Sequence, residues 1–132
     1  MEAPLHAVNE IEPAMARVSQ QSPAGLVFIP DNFSIEHAAM IAQLAVRYRL
    51  PSIYTERPSV DAGGLMRYGI DFDEQYRQAG VYVDRILRGA PAGDLAIQFP
   101  TKFTLSINLT TARALDIDVP LSLLLIADEQ IE

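Results

Sequence analysis

The sequence contains no cysteine. That absence removes disulfide frameworks, thiol nucleophiles and thiolate metal sites together, and it leaves the redox compartment open. Histidine is scarce as well: His6 and His37 belong to no Cys/His cluster and show no His-Glu-x-x-His spacing, so no zinc site is implied. Positive charge is short, with 10 Lys and Arg against 17 Asp and Glu and a formal net charge of -7. A chain this acidic lacks the basic surface that neutralises phosphates, which argues against a nucleic-acid partner.

Long hydrophobic runs are missing too. The longest near the C-terminus, residues 121–127, is far below the roughly 18 to 20 apolar residues of a membrane-spanning helix. The opening Met1-Glu2-Ala3-Pro4-Leu5-His6 has neither the positive nor the apolar region of a secretory signal. The chain is expected to be cytoplasmic if it is a whole gene product, or else to be missing its true N-terminus. Gly-x-Gly-x-x-Gly and Walker A patterns are absent, so no nucleotide cofactor is expected, and no Gly-x-Ser-x-Gly elbow marks a serine hydrolase.

What is present is a 132-residue chain with 49% hydrophobic content, enough for one core. Residues 9–20 read as a helix, with Asn9 as cap, Glu12 at capping-box spacing, and Ile11, Met15 and Val18 on one face. After a Ser22-Pro23 break, residues 24–29 form an apolar run with β-branched and aromatic members, the pattern of a strand buried on both faces. Ile35, Ala38, Ala39, Ala42, Ala45 and Val46 line one face of a following helix that stops at Leu50-Pro51, before a strand over residues 52–55. Strand, helix and strand with short links predict a right-handed parallel crossover, and the fold class is α/β.

A break is expected at Glu56-Arg57-Pro58, then a short glycine-bracketed strand in Gly63-Gly64-Leu65-Met66-Arg67-Tyr68-Gly69. From residue 72 to 88 a helix follows, with Asp71 or Asp73 at its start, Gly89 beyond its end, and Tyr76, Ala79, Gly80, Val83, Ile86 and Leu87 on one face. Residues 96–99 and 104–107 alternate like strands around Pro100, Asn108 or Thr110 caps a short helix, and the tail is expected to pack Leu123, Leu124 and Ile126 before fraying.

Four blocks, in order, carry a resemblance: the glycine-bracketed segment above, Tyr82-Val83-Asp84-Arg85-Ile86-Leu87-Arg88-Gly89, Pro100-Thr101-Lys102-Phe103, and Ile107-Asn108-Leu109-Thr110-Thr111-Ala112-Arg113-Ala114-Leu115. With Phe28-Ile29-Pro30-Asp31-Asn32 and Leu50-Pro51-Ser52-Ile53-Tyr54 upstream, the chain resembles the C-terminal portion of ABC-transporter substrate-binding proteins related to tryptophan- and tyrosine-binding lipoproteins. The resemblance implies a partial type I periplasmic-binding-protein fold built of flavodoxin-like parallel-sheet units. Residues 1–58 and 100–132 would then belong to the second lobe, and residues 62–99 would be a first-lobe-like crossover. It also implies a small-molecule solute such as an amino acid, aromatic acid or amide, ABC permease subunits as partners, and a periplasmic location. No enzymatic activity is implied.

Asp31, Asn32 and Ser34 follow a strand and open a helix, where open α/β sheets place ligands, and are the lead binding residues; a capping role for Asp31 or Asn32 is the plainer alternative. Tyr54, at a strand end, and Tyr68, in the glycine-flanked segment, are candidates to stack on a solute or simply to pack. His37, three residues after Ser34, and Asp31 could be read as base and orienter of a nucleophile, but a surface or cleft contact is simpler. Acidic Asp71, Asp73 and Glu74 oppose a helix dipole rather than mark a cation site. A free-standing, dimeric regulatory or interaction domain is the competing reading, in which an uncovered edge pairs two copies into a homodimer.

Overall fold

The computed structural model describes residues 5–21 and 23–132; residues 1–4, and the Ser22 half of the expected break, lie outside the described residues. The first helix, α1 (Val8–Ser19), buries Ile11 and Met15 as its periodicity predicts. Its start differs from the Asn9 and Glu12 expectation. The extended residue is Ala7, and the Glu10 carboxylate accepts from the backbone N–H groups of His6 (2.8 Å) and Ala7 (3.2 Å). One of the N–H groups that the helix start leaves unpaired, that of Ala7, is satisfied there together with that of the preceding His6.

Then come β1 (Leu26–Val27), α2 (Asn32–Glu36), α3 (Ala38–Arg47), β2 (Ser52–Tyr54), α4 (Arg57–Asp61) and β3 (Met66–Ile70). The long α5 (Phe72–Leu87) leads through a short turn to β4 (Phe103–Asn108), α6 (Leu109–Ala114), α7 (Leu121–Ile126) and β5 (Glu129–Ile131). The strands form one five-stranded sheet in chain order. Pairs β1–β2, β2–β3 and β4–β5 are parallel, whereas β4 returns antiparallel to β3 over five residue pairs from Met66↔Ile107 to Ile70↔Phe103. The α/β class with a mostly parallel sheet is therefore observed, and the reversal follows from the chain leaving the sheet at Ile70 and re-entering at Phe103.

Register puts Tyr54, Arg67 and Ser106 side by side on one face and Ile53, Met66 and Ile107 on the other. The main core gathers Ile11, Met15, Ile41, Leu44, Leu50, Tyr54 and Val60, with Leu26 and Phe28 packed against it. A second cluster joins Leu65, Ala112 and Leu115 to Met66, Ile117 and Val119.

Several expectations are corrected. The run 24–29 holds an edge strand, Leu26–Val27, rather than one buried on both faces: among the described residues β1 pairs only with β2, and Val27 and Ile29 remain 79% and 77% exposed. The helix read through residues 35–46 breaks at His37, whose φ of -104° and ψ of 18° separate α2 from α3, and Ala39 ends up exposed. Residues 96–99 form no strand, since they have no ladder partner, and Ile97 and Phe99 lie open to solvent. Glu56-Arg57-Pro58 is the start of α4 and not a break, with proline in the first turn where its missing N–H costs no helix bond. The tail does not fray at once: β5 pairs with β4, and Glu129 bridges to Arg57 at 2.5 Å.

Candidate ligand-binding edge

Parallel strands β1, β2 and β3 run the same way, so the segments that follow them emerge along one edge of the sheet. Antiparallel β4 enters at that same edge through Phe103, opposite Ile70. Residues 28–34, Thr55 and Glu56, Tyr68 to Asp71, and Lys102 and Phe103 are thereby gathered along it. In open α/β sheets the crevice beyond the carboxyl ends of the strands is where ligands bind.

Asp31 caps α2: one carboxylate oxygen accepts the Ser34 backbone N–H at 2.8 Å and the other accepts the Ser34 hydroxyl at 2.6 Å. The Ser34 hydroxyl bond, with smaller help from backbone N–H groups, holds the Asp31 carboxyl below its usual range against a modest opposing effect of burial. Asn32 is exposed beside it. These residues flank an open groove of about 780 Å³ between α1 and the free side of β1, lined by Met15, Val18, Leu26, Phe28, Asp31 and Ser34. The Ser34 hydroxyl is engaged with Asp31, while His37 Nδ1 contacts the Phe33 carbonyl at 2.9 Å. Nucleophile, base and orienter are not assembled.

Tyr54 is in the interior. It is 1% exposed, and its ring stacks on Phe28 with centroids 4.8 Å apart and planes 5° from parallel. Gly64 is what makes room for it, because a Cβ there would fall 2.6 Å from the Tyr54 ring. Burial raises the phenol's pKa against a smaller opposing influence of the Ser52 side chain, and the hydroxyl meets hydrogen-bond geometry with no partner among the described residues. Tyr68, by contrast, is 52% exposed on the opposite sheet face and stacks on Phe103 at 5.6 Å. The two tyrosines thus do not share a site surface. Among the predicted residues, Asp31, Asn32 and Ser34 are brought together, Tyr68 lies further along the edge, and Tyr54 lies beneath it.

Asp71 caps α5 through the Glu74 N–H at 3.2 Å and pairs with Lys102 at 2.7 Å, which closes the edge where the chain leaves and re-enters the sheet. The Lys102 ammonium first, and backbone N–H bonds second, lower its carboxyl pKa. Arg67 also belongs to this edge, although its residue type and position in the sequence by themselves assign it no role. Arg67 is 6% exposed, and its Nε and Nη2 donate to the carbonyls of Thr55 (3.1 Å) and Ile70 (2.8 Å). The Thr55 carbonyl lies so close over β3 that a Cβ at Gly69 would meet its oxygen at 2.1 Å. An arginine in the middle of a strand inside a glycine-bracketed segment was the available signal.

The sequence matches the family described as ABC transporter substrate binding protein over residues 1–131. The curated tyrosine-binding protein of Clostridioides difficile is 28% identical over 92 residues, which cover 69% of this chain and 27% of that protein. A conserved domain protein from Vibrio cholerae superposes with a TM-score of 0.82 at 24% identity, over 98% of this chain and 44% of the other. An ABC domain from Streptococcus pneumoniae in complex with L-Trp gives 0.79 at 24% identity, over 96% and 44%. An open, ligand-free substrate-binding protein with adhesive properties from Clostridium difficile gives 0.74 at 19%, over 100% and 43%. The fold is common to all three, and the chain spans under half the length of each solved structure.

Proposed function

Because this chain belongs to the ABC transporter substrate-binding protein family, we propose that it supplies one wall of a cleft that captures a small solute for an ABC importer. The solute class we favour is an amino acid, aromatic acid or amide. The tyrosine-binding relative and the solved neighbour in complex with L-Trp support that choice. The observation that carries the reading is the shared edge, where three parallel strands end and the Asp31–Ser34 segment, Tyr68 and the Asp71–Lys102 pair are gathered. Among the described residues the Asn32 amide and the Tyr68 hydroxyl make no side-chain bond and are offered to a solute, whereas Asp31 acts through Ser34 and Tyr54 supports the edge from below.

Capture would proceed by closure of two lobes, with contacts on both sides favouring the closed state and no bond made or broken. Permease subunits of the importer would receive the loaded protein, at an extracytoplasmic membrane face. The lobe boundary is better drawn after Ile70 than at residue 62, since β3 is hydrogen-bonded between β2 and β4 at the centre of the sheet. On that division residues 71–102 are the crossover, and their helix α5 buries none of its residues.

A thermal-shift screen of amino acids, aromatic acids and amides tests the reading, on this chain and on any longer version of the gene. Binding to the native state alone raises the melting temperature by mass action. A response to L-tyrosine or L-tryptophan is expected, and no response from either protein to any member of the screen would remove the solute class. One observation favours a second reading, a homodimer without a transport ligand: β1 leaves its outer side unpaired with Val27 and Ile29 exposed, an invitation to pair with another copy.

A further inference from the structure

Arg67 is a permanent cation that is buried, yet none of the ion pairs among the described residues includes it. Burying a guanidinium without an anionic partner is costly, and two backbone carbonyls supply dipoles but no charge. Among the described residues Nη1 has no acceptor, and the sealed-off atoms without a partner there are the Tyr54 and Ser106 hydroxyls, so part of the residue's remaining contact with solvent falls to Nη1. Both carbonyls that grip the guanidinium, Thr55 and Ile70, sit where β2 and β3 end on the ligand edge.

The other charged groups along this edge are engaged elsewhere or make no bond to it. Asp31 is held by Ser34, Asp71 by Lys102, and Glu56, next to Thr55, forms no ion pair with Arg67. We propose that the missing anion is the solute's own carboxylate, received by Nη1 from beneath the edge. The inference rests on the solute-capture reading and narrows its ligand to carboxylates. Two backbone bonds fix the guanidinium plane before the ligand arrives, so the remaining donor is aimed in advance, which a lysine cannot reproduce.

The test is ¹⁵N NMR of the Arg67 side chain in the whole chain, its Nε signal assigned by its loss in Arg67→Lys. The probes are L-tyrosine, tyramine and benzoate, with chloride at matched ionic strength as control. L-Tyrosine and benzoate are expected to move the Arg67 signal saturably, chloride is not, and tyramine should bind about tenfold or more weakly than L-tyrosine. Equal binding of L-tyrosine and tyramine with a silent Arg67 overturns the proposal and leaves solute capture standing. A benzoate response without an L-tyrosine response keeps the carboxylate receptor and removes the aromatic amino acid. Silence toward all three overturns the receptor and counts against the capture reading as well.

Discussion

Tyr54 and Asp31 do different work: one ring fills the interior under the edge, and one carboxylate caps α2 upon it. Tyr54 fills a space between Phe28 and Gly64 while its hydroxyl goes without a partner. Tyr54→Phe should therefore change unfolding free energy by less than about 1 kcal/mol, whereas Tyr54→Ala should cost about 3 to 5 kcal/mol in urea denaturation, because it leaves a cavity. Asp31→Ala removes a helix cap and should cost about 1 kcal/mol. Its pH signature has a definite sign. The folded carboxyl titrates below the unfolded one, so its contribution is complete above about pH 4 and is lost as the pH falls through the lower folded value. Comparing wild type with Asp31→Ala across that window should show the difference shrinking toward acid.

At the scale of elements, Gly69 decides whether the segment after β2 can lie across β3. Gly69→Ala would set a Cβ against the Thr55 carbonyl, and chemical denaturation should register a loss of at least about 1 to 3 kcal/mol, the range of overpacked cores. Gly80→Ala, in α5 with open space around it, should instead stabilise by about 0.5 to 1 kcal/mol. Helix α5 was legible because its cap at Asp71, its apolar periodicity and Gly89 beyond its end are all local signals. The exposure of β1 was not, since a strand's burial depends on neighbours that its own residues do not name. Arg67 was missed for the same reason: its burial follows from the Thr55 carbonyl twelve residues earlier in the chain. The Asp31–Ser34 cluster was readable from type and order, but not that its hydrogen bonds are spent on one another.

At the scale of the whole molecule, apolar surface is left uncovered on β1 and along α5, where Tyr76, Val83, Ile86 and Leu87 are exposed. If an edge of this kind pairs two copies, light scattering should show a dimer whose population falls in Val27→Lys, because a charged edge resists strand addition. A monomer at high concentration in wild type would remove the homodimer reading without touching the fold. The central claim is that a solute is received where the parallel strands end, and amide chemical-shift mapping during titration with L-tyrosine tests it most directly. The account predicts saturable shifts confined to residues 28–34, 55–57, 67–71 and 102–103; saturable shifts centred on α6 and α7 with this edge silent would contradict it.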